Sequence, residues 1–490
     1  MARRGTSGSG VPEVSPRSFW LEEALADDPG APCPPLRGRV TADVCICGGG
    51  FAGLWTAYEL TEREPSLEVV LIEADICGAG GSGANGGFFS SSWTDLTSLC
   101  RIFGEEAGVR YATALGDEVA ALGDWIARHE ARIDFHHEGI LYARAGDWQA
   151  VPDPETFRLL AAYGLSDRLR EVDADEARRV ADSPRFVGGV FTSDLTTVQP
   201  AKLARELRRV LLERGVRIFE NTPMVDLRTI DAALRGAPVS VETPAGHVVA
   251  DQVVLTIGAW GVERPEYRRA FAVATDFMVV TEPIPRLIEE IGWMTHRGVA
   301  DRREMLYYLR RTDDDRIAIG GGALGVVFGD RIRGRAVTSR RLAEVAAAGL
   351  GWLFPPLEGV RFTHAWSGPM DVTPPGLPFF HTWSQGNVHA GLGFSGHGLV
   401  PTRVGGKTLA SLVLGTDDEW SRLPVVGPPL VSVPPEPLRW PLVSAAAWAY
   451  ERGDRAAQHG RRPGIVAQVA SAAMDRYAVR AVKAGRHRLR

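Results

Sequence analysis

Gly48-Gly49-Gly50-Phe51-Ala52-Gly53 constrains this chain more than any other segment. It follows a short apolar run, residues 42–47, that reads as a buried strand. A helix is expected from about Ala52 to Arg63, because Leu54, Ala57, Tyr58 and Leu60 fall near helical spacing. Residues 68–73 read as a second strand. Strand, helix and strand in that order imply a parallel sheet.

The G-x-G-x-x-G pattern is weak alone. The chain has 55 glycines, and the pattern starts five times, at Gly48, Gly78, Gly81, Gly320 and Gly391. Only the first lies between a buried strand and a helix. Only the first is followed, 20 residues after its last glycine, by an acid at a strand end, Glu73. Gly48 permits the tight turn, Gly50 lets backbone approach a pyrophosphate, and Gly53 lets helix and strand pack closely. The helix start, with Phe51 and Ala52, offers free N–H groups and a positive dipole end. Glu73 suits ribose hydroxyls and repels a 2′-phosphate, so a dinucleotide other than NADP is expected.

Length and composition bound the rest. A chain of 490 residues exceeds one ordinary core, so two or more domains are expected. Hydrophobic content of 45% and charged content of 23% are those of a soluble globular protein. A net charge of −5 gives no sign of a nucleic-acid binder. Cys33, Cys45, Cys47, Cys77 and Cys100 are odd in number and lack zinc spacing, so no metal site is expected and a reducing, cytoplasmic setting is. The start carries no apolar leader, and no stretch reaches the roughly 20 apolar residues of a membrane span. Oligomeric state is not readable.

Further strands are expected at 138–144, 216–219, 252–257, 272–282 and 387–391. A hairpin over 304–321 should turn at Thr312 to Asp315. Helices are expected over 101–130, from Pro200 to Arg214 and from Gly396 to Leu414.

Gly80-Gly81-Ser82-Gly83-Ala84-Asn85-Gly86-Gly87 follows the second strand almost directly. Here the chain resembles the D-amino-acid-oxidase-like (DAO) superfamily of FAD-dependent oxidoreductases, in its γ-glutamylputrescine-oxidase-like branch, where G-A-S-G-R-N-G-G recurs. Gly81 and Ala84 depart from that pattern. The likeness extends over about 17–450. It includes Ser18 to Leu21, Thr197 to Pro200, Gly215 to Ile218, Asn221 to Met224, Val253 to Trp260, and Gly391 to Gly398.

The resemblance implies an α/β fold: a Rossmann-like FAD-binding domain of glutathione-reductase type and a second, mixed-sheet α+β substrate domain. The FAD-binding domain is expected to be discontinuous, over 41–100, 196–262 and 362–415. The substrate domain takes 101–195 and 263–361. Residues 1–16 read as a disordered tail, and 430–490 as a C-terminal helical extension, arginine-rich near Arg486 to Arg490.

FAD is expected to bind non-covalently. Ser82, Gly83, Asn85, Gly86 and Gly87 would run beneath its ring, Met224 would lie near the adenine, and Gly258 and Trp260 near the ADP. Gly393, Ser395, Gly396, His397 and Gly398 would meet the pyrimidine end. There a helix N-terminus stabilises the charge of reduced flavin. His397 either shares that role or only caps the helix.

The implied reaction removes a hydride from a carbon next to nitrogen in a small amine, and the imine is then hydrolysed. Oxygen or another acceptor takes the electrons. Candidate catalytic residues are His397, Trp366 and Tyr308; Phe277 and Tyr307 are further candidate pocket walls. Amino-acid-oxidising relatives often carry W-x-G-x-R, whose arginine clamps a carboxylate. This chain has Trp366-Ser367-Gly368-Pro369-Met370, which favours a polyamine-like or secondary amine. Arg302, Arg310 or Arg311 are the alternative clamps, and an α-amino-acid oxidase or dehydrogenase is the alternative activity. A third reading is an inactive FAD-binding partner or scaffold protein. Sarcosine-oxidase-like relatives place a lysine over the flavin. None lies between Lys202 and Lys407, which leaves His296, His364 or an arginine for that place.

Overall fold

A computed structural model describes residues 10–27, 30–149, 153–230, 236–329, 331–383, 385–428, 430–461 and 464–469. The expected strand–helix–strand unit is present as strand Gly38–Cys47, helix Phe51–Arg63 and strand Val69–Ile72. The two strands run parallel, with Val44 opposite Val69 and Cys47 opposite Ile72. Cys45 and Cys47 are fully buried and pack as small apolar residues.

These strands are the centre of an eight-stranded sheet. Strand Arg217–Phe219 extends one side, and Gly246–Leu255 extends the other, followed by Val239–Thr243 and Asp226–Thr229. The long strand Gly246–Leu255 splits its outer edge. Its first half pairs antiparallel with Val239–Thr243, and its last residues pair parallel with Val388–Leu392. Helices Phe51–Arg63, Pro200–Glu213 and Leu399–Leu414 cover one face, and Gly406 lies against the Trp55 backbone. This apolar layer is why so much of Phe51–Arg63 is buried.

The second sheet has ten strands. Its path is Val14–Ser15, Phe362–Val372, Ala272–Thr281, Ile317–Gly321, Tyr307–Arg311, Gly298–Asp301, Ile140–Ala143, Gly189–Thr192 and Arg170–Val172. Gly325–Val326 pairs off this path with Ala272–Thr281. The expected hairpin at Thr312 to Asp315 joins two of these strands. One face packs on helix Arg340–Leu353 through Phe277, Val279, Tyr307, Leu309 and Ile319. The other faces the first domain. A three-stranded sheet of Phe88–Ser90, Leu195–Val198 and Phe135–His136 lies between them in the chain's path.

Three expected boundaries move. Val14 and Ser15 pair with Ala365 and Trp366, so the tail expected to be disordered over 1–16 is ordered in its second half; residues 1–9 lie outside the described residues. Phe362–Val372 belongs to the ten-stranded sheet, not to the cofactor domain, because its whole length pairs with Ala272–Thr281. Helix Glu105–His129 packs in the cofactor-domain core, although 101–195 was expected in the substrate domain. Its Glu118 accepts from Arg403 at 2.6 Å and pairs with Lys407, both on Leu399–Leu414. The helix or helix pair expected over 101–130 is a pair, Leu96–Phe103 and Glu105–His129, broken at Gly104 with φ of 93°. The extension contains helix Arg439–Gln458; residues 470–490 lie outside the described residues.

Glu220 ties the first domain together. Its buried carboxylate accepts from the amides of Cys33 and Cys77, at 3.2 and 2.9 Å, and pairs with Arg205 and Arg208. Removing one member of such a group strands the others without partners in low dielectric. Glu220→Ala is expected to destabilise the protein by about 3–5 kcal/mol, read by urea denaturation beside the wild type.

Candidate active site

The glycine corner is built around the absence of side chains. Gly48 has φ of 112°, and a Cβ there would lie 2.5 Å from the Thr256 carbonyl oxygen. A Cβ on Gly53 would run into the carbonyl oxygen of Gly48. Gly50 is the N-cap of Phe51–Arg63 and supplies no capping side chain. The Phe51 amide donates to Ser82 Oγ at 2.8 Å. The amides of Gly50, Ala52 and Gly53 have no acceptor among the described residues. Glu73 closes the corner. One of its oxygens accepts from the Gly49 amide at 2.7 Å and the other from the Asp75 amide at 2.9 Å. Burial pushes its carboxyl upward, against these two hydrogen bonds. Each oxygen keeps a lone pair for a ribose hydroxyl. Open amides at a helix start and a carboxylate at the next strand end fit a dinucleotide.

The loop at 80–87 is held from both sides. Ser18 Oγ donates to Gly83 O at 2.5 Å, and Trp366 Nε1 donates to Ala84 O at 2.8 Å. Asn85 bonds within the loop, giving its side-chain NH to Gly81 O and Ser82 O and accepting from the Gly87 amide. A Cβ on Gly86 would lie 2.7 Å from the Tyr308 ring, and one on Gly87 would meet Val198 O. The bare glycines therefore let the loop lie flat on the ten-stranded sheet.

The loop at 391–398 rests on a residue that sequence reasoning missed. Asp371 is buried; its carboxylate accepts from the Gly393 amide at 2.5 Å, and its main-chain carbonyl accepts from the Ser395 amide at 3.3 Å. Thr373 N donates to Ser395 Oγ at 3.1 Å. The amides of Gly396, Gly398 and Leu399, at the start of Leu399–Leu414, have no acceptor among the described residues. The available signal was an acid immediately after Met370, inside a segment that pairs as a strand.

Toward the adenine end, Met224 is half-buried against the sheet that holds Phe219. Gly258 begins the 3-10 helix Gly258–Glu263. Trp260 is 43% exposed, with its ring beside Gly80.

The candidate cleft is the space between the ten-stranded sheet and the loops at 80–87 and 391–398, which meet the sheet at Tyr308 and Met370. In the interior strand Ala272–Thr281, only Asp276 is not buried. Side chains alternate across a strand, so Asp276 shares its face with Met278 and Val280, opposite Phe277. Tyr308 is half-buried on the neighbouring face position and donates to Asp276 Oδ2 at 2.6 Å. Met370 reaches the same region, 2.7 Å from where a Cβ on Gly396 would stand. Tyr142, bonded to Ser90 Oγ at 3.2 Å, lies farther along. Asp95, exposed ahead of helix Leu96–Phe103, feels the charges of His397 and Arg302. His397 is exposed at the loop tip.

Tyr308 and His397 thus stand at the cleft. Trp366 does not: it is 1% exposed, and its indole NH is spent on the loop at Ala84. Phe277 and Tyr307 are also corrected, because alternation turns both into the core on the opposite face. Of the alternative clamps, Arg310 is buried, donates to Val198 O and lies over Trp20. Arg311 binds Asp315 and Trp293 O. Arg302 alone reaches the cleft. His296 stacks on His136, and His364 packs on Phe19.

Gly53→Ala forces the helix away from the strand and is expected to leave little or no bound flavin, read as visible absorbance per polypeptide. Burial raises Asp371 to about 6. Between the ordinary Asp value near 4 and that folded value, the folded state holds more protons than the unfolded chain. This carboxyl's contribution to stability therefore falls as pH rises through that window. Asp371→Asn should lose less stability than the wild type between pH 4 and pH 7, read by urea denaturation.

The model of the DAO family, FAD dependent oxidoreductase, matches residues 43–412. Gamma-glutamylputrescine oxidoreductase of Escherichia coli (strain K12) is 27% identical over 389 residues, covering 79% of this chain and 86% of its own. A probable oxidoreductase OrdL of Haemophilus influenzae is 24% identical over 414 residues, covering 83% and 90%. In fold, the chain is similar to L-amino acid deaminase from Proteus vulgaris, with a TM-score of 0.65 at 17% identity over 81% of this chain and 98% of that one. Glycine oxidase from Geobacillus kaustophilus gives 0.61 at 19% identity, over 78% and 96%. Among the described residues no helix is long and apolar enough to cross a membrane. The corner that leaves backbone amides open and the family match over most of the chain agree: this protein belongs to the DAO family of FAD-dependent oxidoreductases.

Proposed function

We propose that this protein oxidises the C–N bond of an amine that lacks an α-carboxylate, and that water then hydrolyses the imine. The observation that carries this reading is the charge of the cleft. Asp276 stands there with no basic side chain acting on it, and Asp95 lies within reach of the charges of His397 and Arg302. Met370 occupies the place where a carboxylate-clamping arginine would be expected. A cationic amine matches that balance better than an amino-acid zwitterion. The name of the Escherichia coli relative, a γ-glutamylputrescine oxidoreductase, and that of a sarcosine oxidase subunit beta from Rhizobium meliloti, 24% identical, agree with an amine substrate.

Bound FAD supplies the acceptor for the hydride. The chain supplies the positioning. Gly50, Ala52 and Gly53 would hold the diphosphate through their amides, and Glu73 the ribose. Ser82 to Gly87 would contact the ring. Gly396, His397, Gly398 and Leu399, at the start of Leu399–Leu414, stabilise negative charge at its pyrimidine end. The FAD is held non-covalently: Cys33, Cys45, Cys47 and Cys77 are buried, and Cys100 turns to Glu105 O. The two described lysines are engaged elsewhere, Lys202 with Asp27 and Asp134 and Lys407 with Glu118.

One observation favours the amino-acid reading, the half-buried Arg302 at the cleft. Steady-state turnover with primary amines, secondary amines and α-amino acids decides between the two. The expected result is higher kcat/KM for amines; preference for α-amino acids overturns it. Met370→Arg is expected to raise the ratio of amino-acid to amine kcat/KM at least about tenfold, the effect of one added charge-assisted hydrogen bond. Bleaching of the flavin by any of these compounds also excludes a purely scaffolding role.

A further inference from the structure

Asp276 is a carboxylate in an unusual position. It lies on an interior strand, yet it is the one residue of Ala272–Thr281 open to the cleft. Its oxygens accept from the Phe277 amide at 2.8 Å and from Tyr308 OH at 2.6 Å. It forms no ion pair with a basic side chain among the described residues. Other buried carboxylates of this protein are matched: Glu118, Glu220 and Asp301 have arginines, and Asp371 has the Gly393 amide. A half-buried carboxylate with room on one side and no cation is costly unless a cation arrives.

Its neighbours sharpen the point. From Phe362–Val372 the flanking residues are Trp366, Gly368 and Met370, none of them titratable. From Ile317–Gly321 they are Gly320 and Gly321. A Cβ on Gly320 would strike the Tyr308 hydroxyl, so that glycine makes room for the pair. From Tyr307–Arg311 the facing group is Tyr308, while Arg310 turns away to Val198 O. Asp95, Tyr142, Arg302 and His397 are the ionisable groups farther along the cleft. The loop at 80–87 lies directly opposite, with Gly86 on the Tyr308 ring and Ala84 beside Gly368.

The geometry points to a role for Asp276 beyond the fold: it receives the substrate's ammonium group and takes one proton from it, while Tyr308 orients the carboxylate. This assignment rests on the proposed C–N oxidation. The step is a proton transfer. An N–H bond breaks, an O–H bond forms on Asp276, and the electron pair stays on nitrogen. The neutral amine is the form from which a hydride can leave carbon. Burial raises the Asp276 carboxyl to about 6, and the Tyr308 hydrogen bond opposes that rise. The acceptor form therefore prevails at neutral pH and is lost as pH falls through about 6.

The experiment uses the flavin-loaded enzyme, its Asp276→Asn and Tyr308→Phe variants, and 1,4-diaminobutane and L-alanine as substrates. The kcat/KM profile of the wild type should rise through a limb near pH 6. Asp276→Asn should lose that limb and about 100-fold in kcat/KM at pH 7. The gap should narrow to under about tenfold near pH 10, where the substrate arrives already neutral. Tyr308→Phe should keep the limb but move it to higher pH. A limb retained in Asp276→Asn, or a loss equal at every pH, overturns the assignment. If L-alanine is the better substrate, the amine reading fails, and the same profile is taken with L-alanine, whose ammonium must also lose a proton. tert-Butylamine has no α-hydrogen and tests binding alone by perturbing the flavin spectrum. Its Kd at pH 7 should be at least tenfold weaker in Asp276→Asn, and an unchanged Kd overturns the assignment.

Discussion

The close approach of Phe51–Arg63 to strand Gly38–Cys47 is the constraint on which the rest depends. Gly48 and Gly53 have backbone where a side chain would stand, against Thr256 O and Gly48 O. With no side chain to cap it, the helix begins on Gly50, and its first amides stay open. The same approach aligns Val44 with Val69 and places Glu73 at the strand end beside the Gly49 amide. Open amides of the kind that suit phosphate and a carboxylate of the kind that suits ribose are both set by this one arrangement. The helix Leu399–Leu414, which starts the second set of open amides, packs on this helix through Gly406 and Trp55. The two helix starts with open amides are thus set by a shared apolar contact.

The ten-stranded sheet divides its work by face. Phe277, Val279, Tyr307, Leu309 and Ile319 enter a dry core against Arg340–Leu353. Their neighbours Asp276, Tyr308 and Gly320 turn the other way, toward the loop at 80–87. A single-residue step along a strand separates core from cleft. Glycine and alanine at Gly320, Gly368 and Ala84 keep the cleft side thin. Met370 and the Asp371 that follows it show the same division. One reaches toward Gly396, and the other is buried under the Gly393 to Ser395 amides.

Basic side chains are abundant, yet few reach the cleft. Arg403 and Lys407 hold Glu118, Arg205 and Arg208 hold Glu220, and Arg303 holds Asp301. Arg310 is committed to Val198 O behind the loop at 80–87. These pairs join distant segments, such as Glu105–His129 with Leu399–Leu414. Their effect on the cleft is indirect: cations consumed as struts leave Asp276 with no basic side chain beside it among the described residues.

The sequence by itself determined what depends on neighbours along the chain. Turn glycines, helix spacing and the acid at Glu73 sufficed for the strand–helix–strand unit, the hairpin at 312–315 and helix Pro200–Glu213. The motif at 80–87 was legible because its glycines are clustered, although Asn85 proved to staple the loop rather than reach outward. What only the tertiary structure decided is what depends on pairing between distant strands. Phe362–Val372 joined the ten-stranded sheet because of its partner Ala272–Thr281, and helix Glu105–His129 joined the cofactor domain because of Glu118 and Arg403. Aromatic character placed Phe277, Tyr307, Tyr308 and Trp366 together as candidates. Strand alternation and one indole hydrogen bond separated them, leaving Tyr308 at the cleft and bringing in Asp276 and Asp371. Register and facing are long-range properties of a sheet, and no local pattern of residue types encodes them.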